Sequence, residues 1–301
     1  MEFRQLEAFV NAVRYKSFSK AADATFLTQP TISTHISNLE AELGVRLLNR
    51  KGREVSLTSQ GQEFYGYAME LLNTRERALN QIHNQTKELD GILEIQTSSI
   101  PGHYYLPMLM DEFHRLHPKV RFYVEQTDSR TVNDNLLSQR GEIGFTGYKS
   151  NSALAFEPVF YDEMVLITPD TEQYRQFENG DEIPAEMLIH EPFILREDGS
   201  GTKQEMEQAL VGGKAVFKHV DVIARMTNMD GIRQVVSRGL GVSIISEQVV
   251  KETASSEKIR YFKIQGLERK RCFYLTCNKN VTLSPAADAF LKFVLEKTSG
   301  Q

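Results

Sequence analysis

A chain of 301 residues is longer than one hydrophobic core usually organises, so the sequence is read as at least two domains. With 41% hydrophobic and 25% charged residues, and no apolar run near the roughly 18 to 20 residues that a membrane helix needs, its make-up is that of a soluble protein with no membrane span. The net charge of −5 argues against nucleic acid as an average, but residues 1–60 hold eight basic side chains against six acidic ones, and half of those bases fall between Arg46 and Arg53.

The first ten residues carry Glu2, Arg4 and Glu7 among apolar side chains, not the basic start and apolar block of a secretory signal, which predicts a cytoplasmic protein. Leu6, Phe9, Val10 and Val13 recur at helical spacing and predict an amphipathic helix from Phe3 to about Tyr15. Ser19 is the expected cap of a second helix, in which Ala21, Ala22 and Ala24 allow close approach by a neighbour. Thr28 and Pro30 suit the start of a third, which buries Ile32, Ile36, Leu39 and Leu43 and stops at Gly44. Its other face begins with Gln29, Thr31, Ser33, Thr34 and His35, hydrogen-bonding groups at the end of a recognition helix that reaches base edges in the major groove. Leu47–Arg50 and Arg53–Leu57 then read as two short strands around a glycine turn, a hairpin whose Arg50, Lys51 and Arg53 are placed to meet phosphates. A helical module for protein contacts is the plainer reading, but it gives no use for a polar Gln-Pro-Thr-Ile-Ser-Thr-His face beside a basic hairpin.

The run FRQLEAFVNAVRYKSFSKAADATFLTQPTISTHISNLEAELGVRLLNRKGREVSLTSQG resembles the DNA-binding region of the LysR-type transcriptional regulators over about sixty residues without a gap. Ser19, Ala21, Ala22, Gln29-Pro30, Ser33, Leu39-Glu40, Leu43-Gly44, Arg50, Gly52-Arg53 and Leu57-Thr58 carry the likeness. Thr34 and Ser37 stand where the family often has basic residues, which implies fewer phosphate contacts from the third helix.

From Thr58 onward, Phe64, Ala68, Leu71, Arg75, Ala78 and Ile82 alternate in steps of four and three, with Leu72 and Leu79 beside them. This predicts a helix to about Glu88, roughly 30 residues and about 45 Å long, that pairs with its twin; packing on its own domain is the alternative, favoured by Arg75 in the seam. The family likeness points to the pair, and to a homodimer or homotetramer.

Beyond Gly91, apolar runs alternate with helical segments, the pattern of an α/β protein with parallel strands. Strands are expected at Ile92–Thr97, Val120–Val124, Ile143–Thr146, Phe193–Leu195, Val220–Ala224 and Val242–Ile245, and helices at Pro101–Leu116, Ser129–Gln139, Thr202–Val211, Asn228–Ser237 and Ser284–Lys297. Thr227 with Asp230 reads as a capping box. The arrangement resembles the family's effector domain, which implies the two-lobed fold of type 2 periplasmic binding proteins. The division that follows is a winged helix-turn-helix over 1–58, a linker helix over 59–90 and an effector domain over 91–301. Its first lobe takes about 91–162 and 268–301, its second about 163–267, with crossings near Phe160–Val165 and Gly266–Cys272.

The expected strand-to-helix turns concentrate hydroxyls and glycines at Ser98, Ser99, Thr146, Ser200, Thr202 and Thr227. Each serves equally as a helix cap; together they suit an oxygen-rich effector, a small oxyanion or carboxylate, held by N–H groups at helix starts. Arg196 braces that loop, and Arg196–Thr202 resembles an Arg-Glu-x-Gly-Ser-Gly-Thr segment seen in many members of the family. It is no phosphate loop, since Thr202 precedes Lys203. His103, His114 and His117 lack a completing carboxylate or thiol, and Cys272 and Cys277 point to opposite faces of an expected strand, so no metal, disulfide or cofactor is assigned. An enzyme on this fold lacks a nucleophile with its base, and an exported solute-binding protein has no use for a recognition helix. The reading is a DNA-binding transcriptional regulator controlled by a small-molecule effector, whose partners are double-stranded DNA, that effector, further copies of itself and RNA polymerase.

Overall fold

The computed structural model describes residues 1–49, 55–82, 89–203, 221–251, 258–267 and 270–299. Its first core is made by α1 (Phe3–Arg14), α2 (Phe18–Thr25) and α3 (Gln29–Leu43), which bury Leu6, Phe9 and Val10 against Ala21, Ala22, Ile32, Ile36 and Leu39. Ser17, not Ser19, caps α2 by accepting from the backbone N–H of Lys20; the helix starts one residue earlier than the cap expected, and Ser19 turns its hydroxyl to Gln29 instead. Thr28 caps α3 and Gly44, at φ +70°, ends it, as expected. Leu43 is a correction: the expected core position is exposed, and the buried apolar contacts just beyond that end of the helix come from Leu47 and Leu48. Their N–H groups are tied to the buried Glu40 carboxylate at 2.8 and 3.1 Å, which sets the path of β1 (Leu48–Asn49) beside β2 (Ser56–Leu57).

Thr58 then caps α4 (Ser59–Ile82), accepting from Gly61 N–H at 2.9 Å and donating to the Arg46 carbonyl at 2.7 Å. The expected continuation to Glu88 lies outside the described residues. The apolar seam of α4 divides. Phe64 and Ala68 pack on the DNA-binding unit, whereas Leu71, Ala78 and Leu79 stay exposed; Arg75 is paired with Glu7 at 3.0 Å and lies 5.0 Å over the Phe3 ring.

The second half folds as β3 (Asp90–Thr97), α5 (Leu106–Leu116), β4 (Lys119–Gln126), α6 (Ser129–Leu137), β5 (Ile143–Thr146) and the long β6 (Leu154–Pro169). The single helix expected over Pro101–Leu116 opens with a π-helical turn, Pro101–Tyr105. Pro107 has no N–H for the carbonyl four residues back and its ring crowds that carbonyl, so the widened turn removes a clash. There follow α7 (Glu172–Arg175), β7 (Glu182–Ile183), β8 (Pro192–Arg196), β9 (Asp221–Met226), α8 (Met229–Ser237), β10 (Ser243–Ser246), α9 (Glu247–Lys251), β11 (Ile259–Ile264), β12 (Lys270–Asn278) and α10 (Pro285–Thr298). Of the helix expected over Thr202–Val211, residues 204–211 lie outside the described part. Asn228 caps α8, accepting from the N–H groups of Asp230 and Gly231; the capping box expected of Thr227 is displaced because the helix begins one residue later.

In the main sheet β3 lies parallel between β4 and β5, and β12 lies antiparallel between β5 and β6. From Leu154 to Glu163, β6 pairs with β12; from Met164 onward it pairs with β10 and β11. One strand thus serves two lobes. Side chains alternate across it, Met164 and Leu166 entering one core and Val165 and Ile167 another. Parallel β8 and β9, with a bridge from Phe193 to Val242, complete the second lobe. No helix among the described residues is long and apolar enough to cross a membrane.

Candidate DNA-reading and effector sites

The start of α3 presents Gln29 and Thr34 exposed, with Thr31, Ser33 and His35 half-buried beside them. Two contacts set this surface: Ser19 Oγ donates to Gln29 Oε1 at 3.1 Å, and the Thr28 and Thr31 hydroxyls lie 2.8 Å apart. The base of the hairpin is formed by Leu48 opposite Leu57 and Asn49 opposite Ser56. Its tip, with Arg50, Lys51 and Arg53, lies outside the described residues.

The ends of β3 and β8 meet at a small pocket of about 20 Å³, lined by Ser98, Ser99, Ser200 and Thr202 with Ser129, Arg196 and Arg271. That volume holds about one water-sized group. Arg196 donates to both oxygens of Glu197 at 2.8 and 2.7 Å and to Ser99 Oγ at 3.2 Å. Arg271 reaches one oxygen of Asp162 through Nε at 2.8 Å and Nη2 at 2.6 Å, and its Nη1 donates to Thr202 Oγ1 at 2.7 Å. The other Asp162 oxygen accepts from Ser246 at 2.9 Å. Ser98 Oγ is buried with no hydrogen-bond partner among the described residues.

Glycines bring the second lobe's loop onto the first. Gly199 sits at φ +99°, and a Cβ there would lie 2.5 Å from an Asp128 oxygen; a Cβ on Gly201 would lie 3.0 Å from Ser129 Oγ. Arg130 N–H donates to the Gly199 carbonyl across the gap at 3.3 Å. Outside this contact opens a cavity of about 540 Å³, lined by Ser99, His103, Tyr104, Gln126, Asp128, Glu197, Thr227 and Asp230 among others.

Four of the six hydroxyls named from sequence therefore line the inner pocket. Thr227 lines the outer cavity, and Thr146 lines neither; buried, it donates to the Ser129 carbonyl and accepts from Tyr148 N–H. Sequence reasoning missed Arg271 and Asp162. They are direct partners in the β12–β6 register, and the signal was there: charged residues inside otherwise apolar strands demand a partner. Cys272 and Cys277 are not joined in a disulfide. No cluster of three or more His, Cys, Asp or Glu side chains suited to a metal occurs among the described residues.

Residues 3–62 match the family model described as bacterial regulatory helix-turn-helix protein, lysR family, and residues 86–299 match the LysR substrate binding domain. The chain belongs to the LysR family of transcriptional regulators. An uncharacterized HTH-type transcriptional regulator of Methanocaldococcus jannaschii is 31% identical to this LysR regulator over 291 residues, 96% of each chain. Among solved structures, a full-length OxyR variant from Pseudomonas aeruginosa aligns with a TM-score of 0.78 at 20% identity, covering 99% of this chain and 97% of its own. CbnR in complex with its target DNA aligns at 0.57 and 20% identity, covering 99% and 100%. The effector-binding domain of QuiR in complex with shikimate aligns at 0.63 and 18% identity, covering 71% and 99%. This LysR regulator is thus a DNA-binding transcriptional regulator with a two-lobed α/β effector domain.

Proposed function

We propose that this regulator reads double-stranded DNA through Gln29, Thr31, Ser33, Thr34 and His35, holds phosphates through Arg50, Lys51 and Arg53, and answers to a small oxyanion or carboxylate bound between its lobes. The units are 1–58 for DNA, 59–90 for pairing and 91–301 for the effector, with lobes divided as the sequence suggests. The chain works in the cytoplasm as a homodimer or homotetramer, contacts RNA polymerase at the promoter, and needs neither catalysis nor cofactor. CbnR with DNA and QuiR with shikimate are the precedents for the two kinds of partner.

The observation that carries the effector reading is the Ser98 hydroxyl, buried without a hydrogen-bond partner among the described residues in a small pocket that Arg196 and Arg271 also line. Buried polar groups are almost always satisfied, so a lone hydroxyl beside Arg196 and Arg271 is a donor kept for a ligand that accepts. Ser99, Ser200 and Thr202 add donors around it. A donor to a charged acceptor contributes roughly 1.5 to 3 kcal/mol. Ser98→Ala is therefore expected to weaken effector binding about ten- to a hundredfold while leaving thermal stability almost unchanged, because no internal hydrogen bond is lost. Calorimetric titration of a panel of carboxylates and oxyanions onto wild type and variant decides it; equal affinities for the bound member remove Ser98 from the site. Thr146 and Thr227 enter this reading as supports of the turn and of the outer cavity.

For DNA, Gln29→Ala is expected to reduce discrimination between operator and random sequence by about 1 to 3 kcal/mol, whereas Arg53→Ala weakens all sequences alike and flattens the salt slope by about one. Fluorescence anisotropy on both DNAs at several salt concentrations separates the two, and unchanged discrimination in the Gln29 variant refutes its base-reading role.

A further inference from the structure

A group of buried charged side chains away from both sites lies where α1 and α4 rest on the first lobe. Arg14 Nε pairs with Glu94 Oε1 at 2.5 Å, the two side chains 12% and 7% exposed. Glu142, buried beside them, accepts from Asn73 of α4 at 3.2 Å, from the N–H of Ser284 at 2.6 Å and from its hydroxyl at 2.8 Å. Asn73 also donates to the Thr282 carbonyl at 3.0 Å. Gln62 of α4 donates to the Ser138 carbonyl and accepts from Arg140 at 2.7 Å. Tyr65, from α4, is buried near Arg14, Glu94 and Glu142.

Glu142 is thus faced by Arg14 from α1, Tyr65 and Asn73 from α4, Glu94 from β3 and Ser284 from the cap of α10. With both carboxylates ionised the buried side chains hold two negative charges against the one positive charge of Arg14, the other nearby cation, Arg140, being exposed to solvent. A dry contact with an uncompensated charge is a weak point, because desolvation is not repaid by pairing. The position of the two carboxylates gives that weakness a use. Glu94 lies on β3, four residues before Ser98, and Glu142 immediately precedes β5, whose far end leads into Gly147. The two strands are parallel partners, and Glu142 N–H donates to the Glu94 carbonyl at 3.1 Å, so about 13 Å of sheet joins the cluster to the ligand turns.

We propose that this cluster is a releasable latch, docking the DNA-binding unit and linker helix on the first lobe and joined to the ligand turns through β3 and β5. Burial pushes the Glu142 carboxyl up to about 7, Glu94 adding to the effect and the two hydrogen bonds from Ser284 and the charge of Arg14 opposing it. Released into water, the group returns to the usual carboxylate range near 4.3. Docking therefore favours the protonated form. Its contribution is complete below the released value and is lost as pH rises through about 7. A ligand enters the same balance, because any strand shift it favours at Ser98 or Gly147 acts on the far ends of β3 and β5.

The test uses the full chain with Cys272→Ser and Cys277→Ser, and spin labels at Lys20→Cys and Glu157→Cys, both exposed. Labelled chain is diluted with unlabelled chain so that only distances within one chain are read. The latch predicts a single short distance near pH 6 and a second, longer population near pH 8, with Glu142→Gln keeping the short distance at both. Asn73→Ala and Arg14→Ala should populate the longer distance at both. A wild-type distribution that does not change with pH overturns the latch. Gly201→Val, which wedges the cleft against Ser129, should shift the balance between the two distances; no shift overturns the strand link. Neither readout involves operator or effector, so the latch and the effector reading fail separately.

Discussion

Arg271→Met is expected to destabilise the effector domain by about 3 to 5 kcal/mol, because it leaves the Asp162 carboxylate buried without its charge partner. The Asp162 side chain is fully enclosed and that of Arg271 is 2% exposed, so water cannot replace the lost guanidinium. Among the described residues, the hydrogen bond from Ser246 is what remains to the carboxylate, and Thr202 loses the donor that holds its hydroxyl. Urea unfolding followed by circular dichroism measures the loss. The double replacement Arg271→Met with Asp162→Leu should recover most of it, since a buried pair exchanged for apolar groups is often neutral. If the double variant is as unstable as the single one, the pair is not the source of the loss, and the packing of Arg271 over the Phe273 ring, 4.8 Å away, takes its place.

The second large effect concerns the DNA-binding unit. Gly61 lies in the first turn of α4, against the backbone of Leu47, and an added Cβ would sit 2.0 Å from the Leu47 carbonyl oxygen and 2.8 Å from its carbon. Backbone on both sides leaves nothing flexible to yield. Overpacking of this kind costs about 1 to 3 kcal/mol. The strain falls where Thr58 ties the helix to the carbonyls of Arg46 and Leu47 at the foot of the hairpin. Gly61→Ala should therefore lower the thermal midpoint and weaken operator binding at least tenfold, while the effector domain, whose core is separate, keeps its own transition. Calorimetric scans with anisotropy on operator DNA check both. A variant with wild-type DNA affinity would mean that the helix shifts without disturbing the hairpin.

The N-terminal unit was legible because its signals are local: a cap at Thr28, a terminator at Gly44, small residues at Ala21 and Ala22, and an apolar stripe at helical spacing. Errors arose where a neighbour decides the outcome. Ser17 and Ser19 are equally good caps on composition, and only the position of α3 frees Ser19 to meet Gln29. Six strands of the effector domain and the helices between them were legible from alternating apolar runs, and the hydroxyl turns from their composition, whereas the full length of β6, the strands Glu182–Ile183 and Ile259–Ile264 and the short helices Glu172–Arg175 and Glu247–Lys251 were not. Arg271 and Asp162 lie far apart in sequence, so their pairing exists only after β12 is laid beside β6. The same holds for the proposed latch, in which Arg14, Asn73, Glu94, Glu142 and Ser284 come from five separate stretches of the chain.

The touching lobes also govern kinetics. With Gly199 and Gly201 resting on Asp128 and Ser129, the pocket beneath them has room for about one water-sized group, so on the proposed effector site a larger effector would bind only once the loop had lifted. Its apparent affinity is then the intrinsic one multiplied by the fraction of time the loop is open, and a loop open one-hundredth of the time weakens binding about a hundredfold. Association becomes slower than diffusion, and its rate levels off at high effector concentration at the rate of opening. A substitution that favours the lifted loop would make the regulator respond to less effector without touching a single ligand contact.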